Sequence, residues 1–336
     1  MKALFLDCIS GISGDMMVGA LLDLGVKPSG LEWELSKLGV GDFHMHFDRA
    51  KRKEIEGVKF DIHEGATHQE HGHGHGEHDD CCGHGHKHDE GHAHGAADHA
   101  HEPHEHGHEH HEEHKHEASH RTHEPHAHDE HEHVHAHEPH AHGGHTHEHH
   151  HDEEHHHAHE HEHHHHGRNY REIRDLIGQS GLSDFVKKHA VGIFRRIAEA
   201  EGKIHGMNAE DVHFHEVGAF DSIADIVLTC VGIEALGIEK VFCSALHDGR
   251  GTVECAHGTF PVPAPATLEI LKGIPLGQID EPHELITPTG AAIVAEFSQG
   301  FGLMPAMRVE RIGYGLGTRD LANRPNVLRA VVGEIA

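Results

Sequence analysis

Residues 3–25, ALFLDCISGISGDMMVGALLDLG, decide the fold class. The stretch begins with an apolar run that ends at Asp7, and such a run predicts a buried strand. A loop of serines and glycines follows, and Met16, Met17 and Leu21 then recur on one helical face before Gly25. A buried strand that leads directly into a helix predicts an α/β fold, with a mixed α+β arrangement as the alternative.

Segments with helical periodicity and segments with the alternation of a strand also occur further along the chain. YREIRDLI, DFVKKHAVGIFRRIAEAEG, DSIADIVLTCVGIEALG and TPTGAAIVAEF have helical periodicity, and Ser183 and Asp221 are the expected N-caps of the second and third helices. FHMHFD and VKFDI alternate and predict a hairpin, while MRVERIGYGLG and NVLRAVVGE predict closing strands.

Residues 68–166 form a histidine-rich insert with a different composition. The insert holds 43 of the 53 histidines of the chain and 24 acidic residues, but only 3 lysines and arginines. It has almost no aliphatic or aromatic residues, so it is expected to be disordered in the absence of metal. We therefore predict one globular unit, built from residues 1–67 and 167–336 and interrupted by a long loop.

Metal binding is the expected property of the insert. Neutral imidazole binds nickel, copper and zinc well, and closely spaced histidines let a flexible chain wrap an ion with little strain. A spacer or a pH-sensitive solubilising segment is the alternative. The candidate ligands include His73, His75, His104, His106, His155, His156, His157, His163, His164 and His165.

A second candidate site lies in residues 212–226, VHFHEVGAFDSIADI. His213 and His215 would share one face of an extended segment, with Glu216 beside them. Asp221 and Asp225 are four residues apart on the next predicted helix and would share one of its faces. Such a set suits a divalent metal or general acid–base catalysis, although a helix cap and solvated side chains would explain it equally well.

Two further kinds of loop carry candidate residues. Asp7 and Asp15 flank the first Ser/Gly loop, where carboxylates favour a bridging metal and a tight turn is the alternative. Two stretches that combine glycine with arginine suit phosphate or carboxylate binding, although plain turns are favoured at both. Their candidate residues are Gly249, Arg250, Gly251, Gly315 and Arg319.

Charge and cysteine usage argue against several classes of protein. The net charge of −30 disfavours nucleic acid as a partner, and no apolar run is long enough to cross a bilayer. Six scattered cysteines show no disulfide or metal-knuckle spacing, which favours a reducing cytoplasm.

Five segments together resemble the LarC family of nickel-insertion proteins. They are LDCISGISGDM, FHEVGAFDSIADI, GTVECAHGTFPVPAPAT, TPTGAAI and GYGLGTRDLANRPNVLR, in the order of the family and with a histidine-rich stretch at the family's place. The resemblance implies an enzyme of the lyase or chelatase type. Its substrates would be nickel and pyridinium-3,5-bisthiocarboxylic acid mononucleotide, and its product the nickel-pincer cofactor of lactate racemase and related enzymes.

The resemblance also implies requirements beyond this chain. The family reaction depends on CTP and on Mg²⁺ or Mn²⁺, and full-length members continue into a C-terminal region that carries the CTP site. That region is not found here, so we expect it as a separate chain, and we expect assembly into a homo-oligomer. On the resemblance, His213, His215 and Glu216 would hold nickel briefly, while Arg250 and Arg319 would meet the phosphate.

Two other functions remain open. A nickel store or metallochaperone could act through the insert alone, but it would not need the five ordered segments. A metal-dependent phosphohydrolase built on Asp7, Asp15 and the residues around His213 is the weaker alternative.

Overall fold

The computed structural model describes residues 1–65, 168–215 and 217–336. The described stretches on the two sides of the insert belong to one compact unit. The predicted disorder of residues 68–166 lies outside the described residues, as does Glu216. The boundaries predicted at 67/68 and 166/167 therefore stay predictions.

Helices and strands are intermixed along the first described stretch, and helices follow one another at the start of the second. The elements are β1 (Lys2–Asp7), α1 (Gly14–Asp23), α2 (Pro28–Ser36), β2 (Phe43–Arg52), β3 (Ile55–Glu64), α3 (Tyr170–Gln179), α4 (Asp184–His205), a 3₁₀ turn (Ala209–Asp211) and α5 (Phe220–Ala235). The hairpin predicted from FHMHFD and VKFDI is confirmed, because β2 and β3 pair antiparallel from Phe43↔Glu64 to Arg52↔Ile55.

Short strands dominate the rest of the chain. The elements are β4 (Lys240–Cys243), β5 (Leu246–Asp248), β6 (Thr252–Cys255), β7 (Gly258–Pro261), α6 (Pro265–Ile270), β8 (Leu276–Gln278), α7 (Pro288–Phe297), β9 (Ser298–Phe301), β10 (Met307–Leu316) and β11 (Val327–Ile335). The caps of the helices are partly as predicted. Ser183 caps α4 by accepting from the Val186 N–H, whereas Asp221 is not the cap of α5, which begins one residue earlier with Ala219 as its N-cap.

A mixed sheet of seven strands forms the body of the unit, in the order β2-β3-β10-β11-β1-β4-β9. The central strand β1 pairs antiparallel with β11 and parallel with β4. Two smaller pairs stand apart from it, β5 with β8 and the hairpin β6–β7. The predicted α/β class is thus confirmed, with both parallel and antiparallel pairs in one sheet.

The helices pack in layers against this sheet. α1 contacts β3, β10 and β11, α5 contacts β3, and α7 contacts β4, while α4 packs across α5 and α7. Leu4, Leu21, Phe60, Phe194 and Ile293 belong to the resulting buried core. Within the ranges that the structure describes, no helix combines the length and apolar character that a membrane span requires.

Helix α1 approaches strand β10 so closely that backbone meets backbone. A Cβ atom on Gly315 of β10 would lie 1.8 Å from the Met16 carbonyl oxygen and 2.7 Å from the Ala20 nitrogen. Neither neighbour is a flexible side-chain end, so only glycine fits at position 315. This contact sets the position of α1, whose N-terminal end borders the candidate site described below.

We predict that Gly315→Ala lowers the free energy of unfolding by about 2–3 kcal/mol, because the added methyl group must push α1 off the sheet. Urea denaturation of the two proteins measures the difference. Gly178→Ala in α3 is the matched control, since a Cβ there meets nothing within 4 Å and alanine should be neutral or slightly stabilising. Equal stability of Gly315→Ala and the parent protein would contradict the packing described.

Candidate functional site

A cleft with a volume of ≈ 400 Å³ opens where the starts of three helices meet strand β3. We call it the acidic cleft. Carboxylates, hydroxyls and one lysine line it, together with backbone of the helix starts; the lining includes Ser13, Asp15, Lys59, Asp61, Asp221, Asp225, Glu284, Thr287, Thr289 and Thr318. Its size falls within the range of pockets that hold small ligands.

The first turns of α1, α5 and α7 all border the acidic cleft. Asp15 lies in the first turn of α1 and Asp221 in the first turn of α5, while Thr287 caps α7 by accepting from the Gly290 N–H at 3.1 Å. Helix N-termini carry unpaired N–H groups and a partial positive charge, which stabilise anions. The cleft therefore offers positive backbone potential as well as carboxylates.

Lys59 brings a formal positive charge into the acidic cleft. Its Nζ donates to Asp15 Oδ2 at 2.5 Å and to the Phe60 carbonyl oxygen at 3.0 Å. The Ser13 hydroxyl donates to the other carboxylate oxygen of Asp15. Asp15 is thereby held in one orientation, which preorganises the wall of the cleft that α1 provides.

Asp225 combines burial with nearby negative charge at the acidic cleft. Burial raises the pKa of its carboxyl well above the usual value, and the negative charges of Asp15 and Asp221 raise this pKa further, while Lys59 opposes them. The Asp225 side chain also lies against the backbone of Gly14, where a Cβ would come within 2.5 Å of Oδ2. A carboxyl with a raised pKa beside a cleft is typical of an acid–base or cation-binding group.

A second, smaller pocket of ≈ 90 Å³ carries nitrogen and sulfur ligands. His205, His215, Cys255 and His257 line it, and we call it the imidazole pocket. The ring centroids of His215 and His257 are 4.6 Å apart, and those of His205 and His257 are 4.8 Å apart. These side chains come from the end of α4, the segment before α5 and the β6–β7 hairpin.

The local sequence explains why His215 faces this pocket. Val212 and Phe214 are buried, at 0% and 1% exposure, so the alternating histidines between and after them point outward. The predicted shared face of His213 and His215 agrees with a distance of 6.3 Å between their ring centroids. His213 also forms an isolated bridge with Asn169, which ties this segment to the start of α3.

The imidazole pocket and the acidic cleft have a common wall, because Val217 and Pro288 line both. Val217 follows the histidine segment and is buried, and Pro288 is the first residue of α7.

Among residues 1–65, 168–215 and 217–336, no group of three histidine, cysteine or acidic side chains already converges on one metal position. A metal would therefore need side-chain rotation to complete its ligands.

Asp7, one of the predicted metal ligands, is engaged in the sheet. Arg329 lies opposite it in the β1–β11 register, and the guanidinium donates through Nε at 3.0 Å and through Nη2 to Asp7 Oδ2. Asp7 is not among the residues that line the acidic cleft. The structure gives this carboxylate a structural partner, and its role as a metal ligand stays a prediction.

The first glycine-arginine stretch does not line the acidic cleft. Arg250 donates to Asp280 from Nε at 2.6 Å on the exposed surface. Gly249 is packed against the His283 carbonyl oxygen, which a Cβ would approach to 1.9 Å, and Gly251 has a φ of +93°. The structure thus gives these three residues packing, turn and surface contacts, and their binding roles remain predictions.

The C-terminal end of the second glycine-arginine stretch, GYGLGTRD, lies at the acidic cleft. Thr318 lines the acidic cleft, and Arg319 donates from Nη1 to the Glu284 carbonyl oxygen at 3.2 Å. Gly315 instead packs under α1, as described above. Glu216 and the insert histidines lie outside the part of the chain that the structure describes, so their predicted roles stay predictions.

Sequence reasoning missed part of both sites. Lys59 and Asp61 were assigned only to an alternating strand, and no pattern singled out Glu284, although all three line the acidic cleft. Cys255 and His257 lie in the segment GTVECAHGTFPVPAPAT, which the sequence did single out, whereas no pattern singled out His205. Nothing local indicated that the end of α4 and the β6–β7 hairpin would meet.

Carboxylates beside imidazole and thiol groups define a site suited to a protein that handles a divalent metal. The family comparison agrees with this class: a family model described as "Nickel insertion protein" matches residues 4–336, and the chain belongs to that family. No solved structure matches the chain.

Several curated relatives carry the corresponding name. The chain is 38% identical over 334 residues to the "Pyridinium-3,5-bisthiocarboxylic acid mononucleotide nickel insertion protein" of Geobacillus kaustophilus, covering 99% of this chain and 60% of the relative. The protein of the same name from Desulfitobacterium hafniense (strain DSM 10664 / DCB-2) is 36% identical over 336 residues, covering 100% and 59%. A "Putative nickel insertion protein" of Geobacter sulfurreducens is 54% identical over 168 residues, covering 50% and 43%. The chain thus spans about 60% of the length of the first two relatives.

We predict that Asp225→Asn raises the thermal midpoint of unfolding, with a gain that grows as pH rises above about 4. The pKa of Asp225 is raised in the folded protein, so the folded state holds this proton more tightly than the unfolded chain does. Ionising the group costs stability as pH climbs above its usual pKa of about 4, and asparagine avoids that cost.

Thermal unfolding at several pH values measures this difference. Asp211→Asn, at an exposed position outside the cleft, is the matched control and should show no such growing gain. A pH-independent difference for Asp225→Asn would show that burial and the neighbouring carboxylates do not perturb this group.

Proposed function

We propose that this chain inserts nickel into pyridinium-3,5-bisthiocarboxylic acid mononucleotide, forming the carbon–nickel and sulfur–nickel bonds of the nickel-pincer cofactor. Curated relatives are named for that substrate and for nickel insertion. The observation that carries the proposal is the common wall between a pocket with imidazole and thiol ligands and a cleft large enough for a mononucleotide.

The two cavities suit the two substrates of such a reaction. Imidazole and thiolate are good nickel ligands, so the imidazole pocket fits the metal substrate. The organic substrate bears two thiocarboxylates and a phosphate, and the acidic cleft offers Lys59 and the N-termini of α1, α5 and α7. Arg319, next to Thr318 at the cleft, is the arginine best placed to add charge for the phosphate.

A base is needed because the pyridinium ring carbon must lose its proton when the carbon–nickel bond forms. We assign this role to Asp225, whose raised pKa brings its carboxylate closer to the basicity that works best near neutral pH. Asp221, one helical turn earlier and on the same side of α5, would orient or share that proton. His213 and Glu216 would assist His215 in holding nickel.

The acidic cleft also fits the divalent cation that the family resemblance implies. Mg²⁺ and Mn²⁺ prefer carboxylate oxygens, which Asp15, Asp221 and Asp225 supply. Burial raises the pKa of Asp225, repulsion from Asp15 and Asp221 raises it further, and a bound cation would offset this rise. When bound, the cation would supply charge neutralisation for the anionic substrate.

Several further properties belong to the same proposal. CTP dependence, a separate chain that supplies the family's C-terminal region, and homo-oligomer formation all rest on the family resemblance. A reducing cytoplasm belongs to the same proposal, because the six cysteines of the chain show no disulfide spacing.

We expect Asp225→Asn to reduce the rate of nickel insertion at least about 100-fold, since general-base catalysis contributes a factor of that order. The measurement is nickel incorporated into the mononucleotide by the chain supplied with CTP, a divalent cation and the C-terminal region of a relative. The double variant His213→Ala/His215→Ala should also abolish insertion while the fold survives. Asp211→Asn is the control, and unchanged activity in both site variants would refute the assignment.

The alternative is a nickel store or metallochaperone that acts through the histidine-rich insert, and deletion of residues 68–166 separates the two functions. An insertase with a storage loop should retain insertion when nickel is in excess, because its cavities lie outside the deleted stretch. Complete loss at every nickel concentration, with circular dichroism unchanged, would instead support delivery through the insert.

A further inference from the structure

We propose that His215, His257 and the Cys255 thiol form a nickel-loading site in the imidazole pocket, with His205 as a further ligand at its rim. Nickel would be held there and then pass across the wall of Val217 and Pro288 into the acidic cleft. This inference rests on the proposed function and deepens it. It assigns temporary nickel binding to one cavity and binding of the organic substrate to the other.

The spacing of the imidazole rings fits two ligands of one ion. With a metal–nitrogen distance of about 2.1 Å, two imidazoles at right angles around an ion have ring centres roughly 4.5 Å apart. The His215–His257 and His205–His257 centroids are 4.6 and 4.8 Å apart. The planes of His215 and His257 meet at 89°, so the two rings are not stacked. His257 is common to both pairs and is therefore the central ligand of the site.

The donor set selects the metal by its chemistry. Imidazole and thiolate favour nickel, copper and zinc, whereas Mg²⁺ and Mn²⁺ prefer the oxygen ligands of the neighbouring acidic cleft. Nickel binding would release the thiol proton of Cys255 to solvent and form a nickel–sulfur bond. Among the cysteines that the structure describes, Cys8, Cys230 and Cys243 are buried to 1% exposure or less, and Cys255 is partly exposed.

The size and openness of the pocket suit temporary binding. A volume of ≈ 90 Å³ accommodates an ion with a few waters but not a mononucleotide. His205 ends α4, and Cys255 and His257 lie at the turn of the β6–β7 hairpin, so these side chains can rotate without disturbing the core. A site that completes its ligands only on binding, and keeps an open position, can also release the ion.

Nickel–thiolate absorption in the near ultraviolet tests the site, since the many insert histidines cannot produce it. The test uses the full chain with Cys81→Ser and Cys82→Ser as the background, which removes the two insert thiols. Nickel chloride alone, added beyond the capacity of the insert, should generate a thiolate-to-nickel charge-transfer band. Cys255→Ser in the same background should abolish the band, while the matched control Cys230→Ser should keep it.

A histidine variant adds a second measurement. His257→Asn should raise the nickel concentration at half-maximal absorption at least about tenfold, because even residues that only support a ligand change metal affinity by that factor. His44→Asn, on the exposed strand β2, should leave it unchanged. Absence of the band, or its persistence in Cys255→Ser, overturns the nickel-loading site.

The outcome is independent of the insertion assay. The band requires neither the mononucleotide nor CTP, so a missing band with intact insertion overturns the loading site alone. A normal band in a chain that never inserts nickel supports the loading site and counts against the proposed function.

Discussion

The loop between β1 and α1 is clamped by the segment that leads into α7, and the site depends on this contact. The Ile12 N–H donates to the Leu285 carbonyl oxygen at 2.9 Å, and the Thr287 N–H donates back to the Ile12 carbonyl oxygen at 3.2 Å. A Cβ on Gly11 would lie 1.9 Å from the Leu285 oxygen, and one on Gly290 would lie 2.1 Å from the Ile12 oxygen. Two helix starts are thus fixed side by side, and the cleft lies between them.

A buried carboxylate supports one side of this clamp. Asp248 is fully buried, and its Oδ1 accepts from the N–H groups of Gly249, Leu285 and Ile286. Burial raises the pKa of Asp248, while these three hydrogen bonds oppose the rise. The hydrogen bonds also link the strand β5 to the segment before α7. Leu285 and Ile286 lie between Glu284 and Thr287, which line the acidic cleft, so this buried carboxylate helps to place the wall of the cleft.

Local patterns in the sequence predicted most of the elements and a part of the site. Helical periodicity located α4 and its cap Ser183, and alternation located the β2–β3 hairpin and the outward direction of His213 and His215. Both patterns depend on neighbours within a few residues, which is why they can be recognised in one sequence. The cap of α5 was wrong because Ala219 takes the extended conformation that Asp221 was expected to take.

Local sequence patterns do not predict contacts between segments that are far apart along the chain. Lys59 lies 44 residues from Asp15, and His257 lies far along the chain from His205, so only the sheet order and the packing of α4 bring these pairs together. Gly315 shows the opposite case, in which a glycine pattern suggested anion binding and the structure reveals a close helix contact. A glycine alone does not say which partner approaches it.

The strand order of the large sheet delays the pairing of β1 while the protein is being synthesised. Strand β11, residues 327–335, lies between β10 and β1, so β1 lacks its antiparallel neighbour until residues 327–335 have been synthesised. Until then β1 presents an unpaired edge, which invites association with other chains. Pairing across more than 300 residues also gives the nascent protein a high contact order and slow closure of its sheet.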